Sequence, residues 1–115
     1  MQMRSIEDLL DSLIETTEAG KLIWEQEGDQ RYVARLRRYR LDLWQRTDDS
    51  DASEVITVQL LSRSGDVLDC VSADESKLAF DDLSKLYLVA RRSAFGVSKI
   101  ISEVEEELLA LKRAC

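Results

Sequence analysis

Ser76-Lys77-Leu78-Ala79-Phe80-Asp81-Asp82-Leu83-Ser84-Lys85-Leu86-Tyr87-Leu88-Val89-Ala90-Arg91-Arg92 is the stretch around which the rest of the chain is arranged. At about 100° per residue, Ala79, Leu83, Leu86 and Ala90 fall on one stripe, with Phe80, Tyr87 and Ala94 along its edge. A helix with that stripe needs a sheet or another helix to lie on. Leu78 and Val89 make a second, thinner stripe, and Leu88 stands among Lys77, Asp81, Ser84 and Arg91. Apolar residues on more than one side predict neighbours on more than one side, so Leu78, Leu88 and Val89 are candidate oligomer contacts.

A run of strands precedes this helix. Val55 to Ser62 is rich in β-branched residues, and its alternation puts Ile56, Val58 and Leu60 on one face. A three-residue loop at Arg63-Ser64-Gly65, with Gly65 left-handed, sets Leu60 opposite Leu68 and Val58 opposite Cys70. Strand 66–72 then adds to the same apolar face, and Cys70 becomes a small buried residue. Further back, Lys21 to Glu27 predicts a strand that turns at Gly28-Asp29. Tyr32, Ala34 and Leu36 carry the apolar face of the next segment, but beyond Arg37-Arg38 the parity changes to Tyr39, Leu41 and Leu43. An unbroken strand keeps its apolar face at period two, which favours two strands, 31–36 and 39–46, over one bent strand. Thr47 to Ser53 is a polar loop.

Helices flank the strands. Ser5 is an N-cap, Ile6, Leu9, Leu10, Leu13 and Ile14 keep helical spacing, and Gly20 supplies a left-handed stop, which predicts a helix over 6–19. Gly96 ends the central helix just after Ala94, and Ser98 is the expected cap of a last helix. Ile100, Ile101, Val104, Leu108 and Leu111 form one stripe of it, and Glu103, Glu105, Glu106 and Glu107 its wet side. The fold class is therefore α+β. It has an N-terminal helix, an antiparallel β-meander of about five strands, and two C-terminal helices packed on one face of the sheet. Together they form a single domain over 1–115.

Composition narrows the function. With 44% hydrophobic and 34% charged residues the chain is that of a folded soluble protein. No apolar run approaches the roughly 20 residues that cross a bilayer, and the N-terminus has no signal-peptide core, so the cytoplasm is expected. His is absent, which removes the commonest general base and metal ligand. The two cysteines make no disulfide framework; a bridge between two Cys115 residues of a dimer is conceivable after oxidation.

The tail pattern of Leu86-Tyr87, then Ala90-Arg91-Arg92 and the break at Phe95-Gly96-Val97, resembles a group of small uncharacterised bacterial proteins over the last third of the chain. The resemblance implies a bacterial source and brings no activity, cofactor or functional residue.

No catalytic, cofactor or metal site emerges from the residues. In the acidic loop Asp48-Asp49-Ser50-Asp51, Glu54 and Leu60 stand where a calcium loop opening at Asp49 needs Gly and Glu. The glycines are isolated, which excludes a dinucleotide fingerprint or a P-loop. Asp81 and Asp82 diverge by about 100° on a helix and form no carboxylate pair.

One segment carries a concentrated charge. Residues 31–46 hold six arginines against Asp42 alone, a local +5 in a chain of net charge −7. Arg31, Arg35, Arg40 and Trp44 share the outer face of their strands, with Arg37 and Arg38 at the break, so these five arginines and Trp44 are candidate contacts for a protein partner or nucleic acid. On the opposing reading the arginine stems only cover the strands. The function expected is a non-catalytic, homodimeric protein-interaction module. One alternative is a small acidic chaperone, antitoxin or immunity-type protein that masks a partner. The other is a single-stranded nucleic-acid binder working through the arginine face.

Overall fold

Two carboxylates hold the start of the first helix. The Ser5 backbone N–H donates to Asp8 at 2.9 Å, and the Ile6 N–H donates to Asp69, far along the chain, at 2.8 Å. These satisfy donors that a helix start otherwise leaves open. The computed structural model describes residues 4–47 and 53–114. The expectations for the acidic loop at 48–51 and for Cys115 lie outside the described residues. A 3-10 turn, Ile6–Leu9, runs into α1, Leu10–Glu18. At its far end the Gly20 N–H donates to the Thr17 carbonyl and the Lys21 N–H to that of Thr16, with Gly20 at φ 76°. Only a residue that tolerates positive φ closes a helix in this way.

Five strands follow as an antiparallel meander in chain order: β1 (Trp24–Gln26), β2 (Arg31–Arg35), β3 (Tyr39–Thr47), β4 (Glu54–Ser62) and β5 (Val67–Ala73). The change of parity at Arg37-Arg38 is a real break. β2 and β3 are separate strands, and the Leu36 N–H donates to the Tyr39 carbonyl across the turn at 2.8 Å.

The register of β5 differs from the expected one. The loop at Arg63-Ser64-Gly65 forms as expected: Gly65 has φ 97°, and the Ser62 N–H donates to the Asp66 carbonyl. A bulge then shifts the ladder between Leu60 and Leu61, so that Leu60 pairs with Asp69 and Val58 with Val71. An extra residue in one strand reverses the faces of all that follow. Leu68 is left about half exposed, Cys70 points to the outer face and is exposed, and Val71 and Ala73 turn inward. The same reversal aims Asp69 at the Ile6 N–H. These two backbone donors, from Ile6 and Cys70, hold the Asp69 carboxyl below the usual carboxylate range.

The core lies between the inner sheet face and the two helices. Trp24, Ala34, Leu41, Leu43, Ile56 and Val58 of the sheet pack against Ile6, Leu10 and Ile14 and against Leu83, Leu86 and Ala90. The central helix, α2 (Phe80–Ala94), buries the stripe its periodicity predicts, with Leu83, Leu86 and Ala90 wholly closed off from water. The Trp24 indole N–H donates to Thr17 Oγ1 at 3.0 Å, and that hydroxyl donates to the Leu13 carbonyl. Tyr32 meets Tyr87 edge-on at 5.5 Å and Phe95 at 6.1 Å. Burial, then the neighbouring Tyr32, pushes the Tyr87 phenol above its ordinary pKa.

α2 begins later than Ser76. The Asp74 carboxylate accepts the Ser76 backbone N–H at 2.9 Å and its hydroxyl at 2.5 Å, a local turn that competes with helix start. Leu78 therefore precedes the helix, fully exposed, and the supposed stripe with Val89 does not exist.

The last helix, α3 (Val97–Arg113), departs from the expected packing. It follows α2 after Phe95 and Gly96 alone, Gly96 at φ 61° turns the chain, and the Gly96 carbonyl accepts the Ile100 N–H. Gly96, not Ser98, is its N-cap. The inner sheet face is already filled by α1 and α2, and α3's main contacts are with α2. No residue of α3 is buried. The radius of gyration is 17.1 Å, against about 13 Å for a compact chain of this length.

Candidate interaction surfaces

Two surfaces stand out, one on the sheet and one on α3. On the outer sheet face, Arg31 is paired opposite Trp44, Val33 opposite Asp42, and Arg35 opposite Arg40. Arg31 is thus the diagonal neighbour of Asp42, and Arg40 its neighbour two residues back on the same face. Arg31 Nη2 stands 2.6 Å from Asp42 Oδ2 and Arg40 Nε 2.9 Å from Oδ1. Asp42, with 1% of its side chain exposed, is the acidic centre of this cluster. The Arg31 guanidinium also lies over the Trp44 ring, 5.2 Å from its centroid.

These contacts change what the arginine segment can do. Arg31 and Arg40 both direct guanidinium N–H groups at Asp42, and one face of the Trp44 ring lies under Arg31. Arg35 reaches Glu27 only at 3.8 Å, with both groups open to water, a contact of little worth. Arg37 and Arg38 stand exposed at the hairpin tip, with no ion pair among the described residues. Val33 and Leu61 of this face are buried although they belong to no helix-packed cluster.

The second surface was legible as a stripe but not as a free one. Ile100, Ile101, Val104, Leu108 and Leu111 are each between 45% and 68% exposed. Contiguous apolar side chains open to water on one face mark a binding surface more often than scattered ones do. At the foot of α3 a cleft of about 560 Å³ is lined by Ile23, Val89 and Val97 together with Thr17, Arg92 and Lys99.

The candidate oligomer contacts do not converge. Leu78 sits in the turn before α2, Leu88 is exposed on α2, and Val89 is partly buried against the core. Sequence reasoning missed Asp42 as a functional neighbour, although a single acid two residues from Arg40 on the same strand face was a readable signal. Among the described residues no group of three or more His, Cys, Asp or Glu side chains gathers as a metal site, and no helix is long and apolar enough to cross a membrane. No family model, no curated protein and no solved structure matches the chain.

Proposed function

We propose that the chain is a non-catalytic protein-interaction module: an α+β body that holds α3 out as its binding element. One observation carries this reading, the uncovered apolar stripe of α3 from Ile100 to Leu111. In proteins a helix gains most of its stability by packing an apolar face, and no side chain on the apolar face of the 17-residue α3 is buried. The stripe therefore calls for a covering chain. The arginine face is the weaker candidate, because Asp42 and Trp44 already engage Arg31.

The test compares the full chain with an Ile101→Glu, Leu108→Glu double variant, each tagged and expressed beside an untagged copy. The reading expects at least one protein, a second copy included, to be retained by the native chain and lost with the variant. Identical retention by both would overturn it.

A further inference from the structure

We infer that α3 pairs with α3 of a second copy of this chain as a parallel two-stranded coiled coil. This deepens the reading above and rests on it. Val97, Ile101, Val104, Leu108 and Leu111 alternate in steps of four and three. That is the spacing of a heptad seam, with Ile101 and Leu108 at a, and Val97, Val104 and Leu111 at d. Over these two heptads the spacing serves a second helix wound about the first, the arrangement for a face that does not lie on the sheet. The separation of α3 from the sheet agrees with that preference.

The charges beside the seam select the partner and its direction. Ile100 and Glu107 occupy g positions, and Ser98, Glu105 and Lys112 occupy e positions. In a parallel pair each g residue meets the e residue five places further along its partner. Glu107 then meets Lys112 of the other copy, and the two-fold axis repeats the pair. Ile100 meets the stem of Glu105, which extends the apolar seam. A fully overlapped antiparallel pair sets e against e and g against g. Glu105 would face its own copy and so would Glu107, two like-charge contacts that oppose association. Glu103 and Glu106 lie away from the seam in either arrangement. One surface that is complementary to itself is what a two-fold dimer requires.

The experiment is light scattering on the full chain across a dilution series, with four variants. The native chain should show twice its 13.2 kDa mass at high concentration and dissociate on dilution. Leu108→Glu should remain monomeric while its far-ultraviolet spectrum keeps the native sheet signal and its thermal unfolding stays cooperative. Glu107→Lys or Lys112→Glu alone should weaken pairing about five- to tenfold, since each sets like charges together twice. The double reversal Glu107→Lys, Lys112→Glu should restore it to within about twofold. A native chain that is monomeric throughout, a dimer that survives Leu108→Glu, or charge reversals that do not rescue each other would overturn the inference. If the native chain is monomeric yet still retains another protein through Ile101 and Leu108, self-pairing fails and the proposed function stands.

Discussion

Arg31 Nη2 stands 2.6 Å from Asp42 Oδ2, and the carboxylate it meets is closed to water while the guanidinium is not. The pair turns a segment of concentrated positive charge back upon the sheet. Replacing Asp42 by Asn keeps the shape but leaves Arg31 and Arg40 without their counter-charge. We expect a loss of about 2 kcal/mol, less than the 3–5 kcal/mol of fully enclosed pairs, because both guanidiniums remain open to solvent. Urea unfolding of the two chains measures it. The same variant should bind polyanions more tightly at low salt, with the gain removed by salt.

Asp69 links the bulge of β5 to the first helix. Its carboxyl titrates lower in the folded chain than in the unfolded one, so its contribution is present above the unfolded value near pH 4. It is lost as pH falls through the lower folded value. Asp69→Asn should therefore be less stable than the native chain at neutral pH, with the gap closing in acid. Thermal midpoints taken from pH 7 down to pH 2 would show the two curves converging.

Thr17 is the partner of a buried indole. Thr17→Val removes the acceptor of the Trp24 N–H, and Trp24 is 1% exposed, so water cannot replace it. The expected loss is about 1–3 kcal/mol by denaturant unfolding, with a changed Trp24 fluorescence in the native state.

At the alkaline end Tyr87 adds to the pH dependence of stability. Its phenol stays protonated in the folded chain beyond the pH at which the unfolded chain ionises, near 10. Stability should then fall as pH rises above about 10 and fall less steeply in Tyr87→Phe. Unfolding curves at pH 8 and pH 11 for both chains give the comparison.

How much of this was legible depended on whether the signal was local. The α2 stripe, the hairpin glycine Gly65 and the parity change at Arg37-Arg38 are local, and all three appear in the structure. The bulge at Leu68 is not. Nothing near Leu68 announces it, and the contact that goes with it, Asp69 accepting the Ile6 N–H, spans 63 residues. Strict alternation beyond Gly65 carries Cys70 inward, and the bulge reverses that. The spacing of Leu78 from Val89 is helical, but the Asp74 carboxylate captures Ser76 and delays the helix start past Leu78. The stripe of α3 was read correctly, but periodicity reports which residues are apolar together, not what covers them.

Hydrogen exchange at the amides of Ile101, Val104 and Leu108, followed over a dilution series, asks directly whether another chain covers α3. A paired α3 exchanges slowly in concentrated solution and faster on dilution, and in Leu108→Glu it exchanges fast at every concentration. Slow exchange that is independent of concentration would place α3 against its own body and contradict the account.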